Sequence, residues 1–221
     1  MVANLNLGER VSAWKEFVGS QKISLSVDPA ILRSWKRCWG LLNPYQPIHL
    51  TPLHADHLLS AQVANFDYIS VARPVMEDIY QYIEGSSTAL VLTNNAGCIL
   101  DILGDEDILA YLKGYGIETG VFLSEHQVGT VAFALALLER SMIRVIGAEH
   151  YLQQLQGLAE AASPVFDLSG RPLGTFGMFT YASSYTPHVL GLSVAGARAI
   201  EGQQISDKLM EEQNHQLAGL N

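Results

Sequence analysis

Apolar residues recur along this chain with two different periods, and the change from one to the other separates helical from strand-forming stretches. Between positions 8 and 18, Val11, Trp14, Phe17 and Val18 fall at three- and four-residue steps, which predicts a helix with one apolar side. Asp28 followed by Pro29 supplies an N-cap and a first-turn proline. Ile31, Leu32, Trp35 and Trp39 then keep helical spacing up to Gly40. This predicts a short amphipathic helix packed on the main body or on a partner. After the extended Asn43-Pro44 and Gln46-Pro47, Thr51-Pro52 restarts a helical pattern that runs to Glu84. Its stripe is Leu58, Ala61, Ala64, Tyr68, Val71, Val75, Ile79 and Tyr82, with Pro74 expected to kink or split it.

The period changes after Gly85-Ser86-Ser87. Residues 88–93 and 98–103 are short apolar runs joined by Asn94-Asn95-Ala96-Gly97, the pattern of a β-hairpin. Asp105-Glu106-Asp107 places acids in the first turn of a helix ending near Lys113-Gly114, where they complement the helix dipole without a metal. Gly114, Gly116 and Gly120 then make a flexible loop. Residues 128–138 are apolar nearly all round, which predicts a helix buried on most sides. Strands are predicted at 142–146, 158–166 and 173–181, with a helical turn or short helix at 148–155. Gly174 and Gly177 admit close approach of backbone or ligand. Thr186-Pro187 opens a last helix that continues past Gln213. Leu192, Ala195, Ala199, Gly202, Ile205 and Leu209 form a seam suited to close helix pairing, which predicts a homodimer through helices. Residues 217–221 carry no cap and read as cut rather than finished.

This order of elements predicts an α+β fold: a central antiparallel sheet flanked by helices, with an N-terminal helical extension and a C-terminal signalling helix. The 51–84 helix and the terminal helix are expected on one side of the sheet, and the loops at 114–130 and 147–155 on the other. Three segments follow: an extension over 1–50, a sheet-bearing domain over 51–186, and a helix or linker over 187–221 leading toward an output domain not encoded here.

Composition narrows the class. Of the 221 residues, 48% are hydrophobic and 16% charged, the balance of a globular protein. The net charge of -9 leaves no clustered basic surface for phosphate; Lys36-Arg37 is the one adjacent basic pair. Direct nucleic-acid contact is therefore not expected. The start of the chain lacks the basic-then-apolar order of a signal peptide, and no apolar run is long enough to span a membrane, so a cytoplasmic location is expected. Cys38 and Cys98 lie among apolar residues without metal-binding spacing and read as buried free thiols.

The candidate chemistry centres on residues 123–151. Gly129-Thr130 opens the apolar helix, and Glu125, His126, Glu149 and His150 flank it. Backbone donors beside ionisable groups and large apolar neighbours suit a small-molecule pocket, and equally an ordinary core with a solvated rim. The residues expected to line such a pocket are Tyr115, Phe122, Glu125, His126, Thr130, Phe133, His150, Tyr151 and Phe179, with Glu149 expected to cap backbone donors instead. His54 and His57 lack a third ligand, so no metal is expected, and no cofactor is. No nucleophile, base and orienting group stand at informative spacing. Ser124-Glu125-His126, read as extended, would point alternately to opposite faces.

Taken together, several segments resemble the GAF-type sensory domain at the N-terminus of sigma-54-dependent transcriptional activators of acetoin and dihydroxyacetone catabolism. Ser34-Trp35-Lys36-Arg37-Cys38 looks like that family's Ser-Trp-x-Arg-Cys motif. Leu90-Val91-Leu92-Thr93, Gly97-Cys98-Ile99-Leu100 and Gly104-Asp105 follow, then Ser124-Glu125 and Gly129-Thr130. Glu149-His150-Tyr151 is similar to its Glu-His-aromatic motif. The resemblance continues through Ala162-Ser163-Pro164-Val165, Asp167, Gly170, Leu173-Gly174, Pro187-His188 and Ala199-Ile200-Glu201. It covers roughly residues 29 to 205. Departures fall at Leu123 for the family's Trp, Val131 for Asn, Ala134 for Gly, and Glu160 near a usual Cys. The resemblance implies a regulatory module that answers to a small-molecule effector or a regulatory protein, with the nucleotide-hydrolysing and DNA-reading parts elsewhere. Two other readings stay open beside it. One is a dimerisation module whose interior is filled by Phe122, Phe133 and Phe179; the other is a small GAF-fold enzyme using Cys38 or Cys98.

Overall fold

The computed structural model describes residues 5–218, with side chains up to residue 210. Its centre is one five-stranded sheet of β1 (Thr88–Asn94), β2 (Ile99–Gly104), β3 (Ile143–Ile146), β4 (Leu158–Phe166) and β5 (Pro172–Tyr181). The strands lie in the order β2-β1-β5-β4-β3, every neighbouring pair antiparallel, as the α+β reading expects. Successive strand residues point to opposite faces. Ala89 and Val91 of β1 and Phe179 of β5 join one hydrophobic cluster; Leu90, Leu92, Phe176 and Met178 join the other. With both faces covered, the strands read as near-continuous apolar runs rather than as an alternation.

Helices α4 (Phe66–Ile83) and α8 (Pro187–Ala218) cover the second face through Tyr68, Ala72, Met76, Ala197 and Ile200. On the first face lie α1 (Leu7–Ser20), α2 (Pro29–Cys38), α5 (Glu106–Gly114) and α7 (Ala132–Glu139) with their connecting loops. Asn6 and Glu9 form a reciprocal capping box at the start of α1, and the Asp28 carboxylate accepts from Ala30 N at the start of α2. Trp14, Phe17, Ile31 and Trp35 from these two helices are buried in the same cluster as Ala89 and Val91. The first 50 residues therefore contribute side chains to the core itself.

Three local expectations change. The 51–84 helix is two helices, α3 (Ala55–Ala64) and α4, and it breaks at Asn65 rather than at Pro74. The Asn65 amide donates to Ala61 O at 2.8 Å, the local side-chain bond by which Asn competes with helical backbone pairing. The buried positions of α4 are Tyr68, Ala72 and Met76, while Tyr82 is 89% exposed. The apolar stretch at 128–138 divides into a one-turn α6 (Glu125–Val128) and α7, separated by Gly129, whose φ of +68° lies in the left-handed region. Ser124-Glu125-His126 accordingly starts a helical turn and is not extended. On α8, Ser193, Gly196, Ala197 and Ile200 face the body, leaving Ala195, Ala199 and Gly202 of the expected seam outside. Among the described residues no helix is long and apolar enough to cross a membrane. Of the uncapped 217–221 stretch, residues 219–221 lie outside the described residues.

Candidate functional site

The motif-bearing segments, far apart in the chain, meet where α2 crosses the cover over the first sheet face. Ser34, Arg37 and Cys38 stand on the inward side of α2. Arg37 Nε donates to Glu125 Oε2 at 2.7 Å and its Nη2 donates to Oε1 at 2.9 Å, a two-pronged bond from α2 to α6. Ser34 Oγ donates to the same carboxylate and lies 2.8 Å from Thr130 Oγ1, a fully buried hydroxyl at the entrance to α7. One helical turn earlier on α2, Arg33 makes a second two-pronged pair with Glu139, at the far end of α7, at 3.0 and 2.7 Å. Two arginines four residues apart thus fasten α2 to both ends of the α6–α7 segment. The hydrogen bond to Glu125 raises the Arg37 pKa, so the guanidinium stays charged. Burial, reinforced by the Glu125 charge, pushes the Cys38 thiol up to about 11.

A second set of bonds holds the turn after β3. Glu149 Oε2 accepts from Ile146 N at 2.8 Å and Oε1 accepts from Arg10 Nε at 2.9 Å. Its carbonyl accepts from Trp35 Nε1 at 2.7 Å, and the Tyr151 carbonyl accepts from Trp14 Nε1 at 3.0 Å. The two buried tryptophans of the first helices are thereby keyed to the Glu149-His150-Tyr151 stretch. His150 is fully buried, with Nδ1 2.9 Å from Gly147 O and Nε2 2.8 Å from Glu160 Oε1. A carbonyl only accepts, so Nδ1 carries hydrogen, and Nε2 pairs with the carboxyl. Glu160 Oε2 also accepts from Ala132 N at 2.7 Å, so a β4 carboxyl meets a free backbone donor in the first turn of α7.

Between these polar sets lies an apolar contact. Phe133 of α7 stacks on Phe179 of β5 with ring centroids 5.0 Å apart and 25° between planes, both rings fully buried. Gly177 lies under them. A β-carbon there would come within 2.8 Å of the Phe133 ring and 2.5 Å of Ala161 O. The close approach that Gly177 permits is thus to a side chain and a neighbouring strand. Glu125, Thr130, Phe133, His150, Tyr151 and Phe179 all belong to this region. The other residues named from the sequence lie apart from it. Tyr115 is half-buried and its hydroxyl donates to Tyr111, whose ring in turn meets Tyr181 edge-on. Phe122 is half-buried in a segment that bridges to Cys98, and His126 is exposed on α6.

Reasoning from the sequence missed Ser34, Arg37, Arg33, Glu139, Arg10 and Glu160 as members of this network. Arg37 and Ser34 were visible in the α2 motif but had no assigned partner, because only the fold brings α6 beside them. Arg10 gave no signal beyond lying on a helix. Glu160 did give one: a lone carboxylate inside the apolar run 158–166 needs a partner if the strand is buried. Among the described residues, no group of three or more His, Cys, Asp or Glu is placed to hold a metal ion. The arrangement can lock and release elements against one another; its carboxyl, hydroxyl and imidazole groups are already bonded to neighbours within the chain.

Comparison with known proteins identifies the family and the fold. The family model described as the MimR N-terminal domain matches residues 14–204. The chain is 28% identical over 197 residues to the PTS-dependent dihydroxyacetone kinase operon regulatory protein of Escherichia coli K12, covering 88% of this chain and 30% of that protein. It is 27% identical over 191 residues to the propane 2-monooxygenase operon transcriptional activator MimR of Mycolicibacterium goodii, covering 86% and 31%. In the crystal structure of the E. coli DhaR(N)–DhaL complex, a matching chain superposes with a TM-score of 0.84 at 27% identity, covering 88% of this chain and 66% of that one. The chain spans about a third of the length of these curated relatives.

Proposed function

Because this chain belongs to the MimR N-terminal domain family, we propose that it is the regulatory module of a cytoplasmic, sigma-54-dependent transcriptional activator and that its input is a partner protein. The observation that carries this reading is the filled interior under the cover: Phe133 stacked on Phe179, with Thr130 and His150 bonded within the chain. A buried effector in the expected place would have to displace an aromatic stack and break hydrogen bonds already made, so a signal arriving at the outer surface is favoured. The relative crystallised as DhaR(N) is seen with a protein, DhaL, and a DhaL-type subunit is the first partner to test. The latch of Arg33, Arg37, Ser34, Glu125 and Glu139 lies at that surface, and a partner that favours one setting of the α6–α7 cover shifts the module by its difference in affinity for the two settings. The outward seam of Ala195, Ala199 and Gly202 on α8 supports pairing of two such modules, with α8 carrying the state onward. The role is regulatory rather than catalytic. Both thiols are buried with raised pKa values, so neither is a ready nucleophile.

The test is a calorimetric titration of the chain with a DhaL-type subunit from its own organism. Saturable binding is expected, weakened about tenfold, or about 1.4 kcal/mol, by Arg37→Ala with the fold retained. The absence of heat, together with a rise in melting temperature on adding a small carbonyl or diol metabolite, would overturn the partner reading.

A further inference from the structure

A groove of about 630 Å³ opens on the other side of the sheet, where α4 and α8 diverge beyond their contact at Ala72 and Ala197. That volume lies within the roughly 300–1,000 Å³ of small-molecule sites. Tyr68, only 5% exposed, lines the groove, and its hydroxyl has no hydrogen-bond partner among the described residues. The Gln204 side-chain nitrogen on the α8 wall is likewise buried without a partner. Two donors shut off from bulk water on facing helices call for an acceptor between them. Gln204 is half-buried, so part of its side chain reaches the open space of the groove. Val71 and Leu173 give the groove apolar walls, and Phe66 is two-thirds exposed at its mouth. Among the described residues its charged rim is Asp67, Asp167, Asp207 and Lys208, with Asp167 also paired to Arg171 at 2.8 Å. Hydrogen bonds from Ser169 and Arg171 hold Asp167 far below the ordinary carboxylate range, and with Arg171 balancing that charge, Asp67 and Asp207 against Lys208 leave the rim net negative, which disfavours anions.

We propose that this groove binds an uncharged amphipathic small molecule, its apolar body against Val71 and Leu173 and one carbonyl or hydroxyl oxygen accepting from Tyr68 Oη and Gln204 Nε2. The site lies against α8, the helix that leads away from the sheet, so its occupant bears on that helix without passing through the latch. It stands independently of the partner-protein reading.

The probe is acetophenone, a neutral ring with one carbonyl, compared with ethylbenzene, which keeps the shape and lacks the acceptor. Each is titrated into the whole 221-residue chain and followed by proton–nitrogen NMR, including the Gln204 side-chain amide. Acetophenone is expected to shift Tyr68, Ser70 and Gln204 saturably, with ethylbenzene weaker by roughly tenfold, the worth of one net hydrogen bond. Tyr68→Phe is expected to erase most of that preference; if it misfolds, Gln204→Leu, at a half-buried position of α8, reads the same loss. Leu173→Trp is expected to block both probes. Equal affinity for the two probes, shifts centred elsewhere, or no saturation would each overturn the assignment. So would concentration-dependent shifts at these residues without probe, which would mean that a second copy of the chain fills the groove.

Discussion

His150 and Glu160 are hydrogen-bonded to each other with both side chains fully buried, and each depends on the other for one of its partners. Removing one member of a buried pair leaves the other uncompensated, at a cost of about 3–5 kcal/mol. His150→Ala is therefore expected to lower the unfolding free energy by about that amount in urea denaturation. Glu160→Gln, which keeps an acceptor for Ala132 N, should cost distinctly less; equal losses would mean that the pairing itself contributes little. Asp105 is the second informative residue. Burial pulls its pKa upward, but hydrogen bonds from Gly85 N, Tyr80 Oη and Thr88 N outweigh that and hold the carboxyl below its usual range. A depressed folded-state pKa gives stability that is complete above the unfolded value of about 3.9 and is lost as the pH falls through the folded one. Asp105→Asn is thus expected to be less stable than the parent at pH 7, by about 1–2 kcal/mol for bonds to a charged group. The gap should close as the pH drops below about 4. A gap constant across that range would contradict the assignment. Neither role was legible from residue type alone: Asp105 read as a helix-dipole acid, and its bonds to Gly85 and Thr88 arise only once β1 and β2 pair.

At the scale of elements, the strands were the more legible part. All five fall within a residue or two of their expected places, because short apolar runs between Gly, Asn and Asp turns leave little choice. The helices were harder where the local chemistry was subtle. A proline looked like the natural breaking point of the 51–84 pattern, yet the Asn65 side chain, bonding back to Ala61 O, ends α3 and Pro74 is carried within α4. Glycine at 129 was read as the opening of a helix; its positive φ makes it the hinge between α6 and α7 instead. The Arg37–Glu125 and Arg33–Glu139 pairs hold the two helices that Gly129 joins from a third, α2. Both arginines are partly exposed, so solvent screening leaves each pair a small contribution to stability. Under the proposed partner reading, pairs of that strength are weak enough for a partner to move and specific enough in geometry to define one setting of the cover.

Over the whole molecule, the sheet separates two kinds of interior. The first face is closed by residues from both ends of the first 150 positions and is packed through with rings; the second carries α4 and α8 and leaves a groove where they part. The aromatic positions of the first face were legible as candidates, but whether they line a space or fill it depends on the distance between α7 and β5, which no periodicity encodes. Small residues at Gly177 and its β4 partner Ala162 let α7 come close enough for Phe133 to stack on Phe179, and that contact fills the space with core. The most direct test of that conclusion is an electron-density map of the chain crystallised with saturating glycerol, dihydroxyacetone or acetoin. The expected map shows the Phe133 and Phe179 rings in contact near 5.0 Å with nothing ordered between them, Thr130 and His150. An ordered small molecule in that place, bonded to Thr130 or His150, would contradict it.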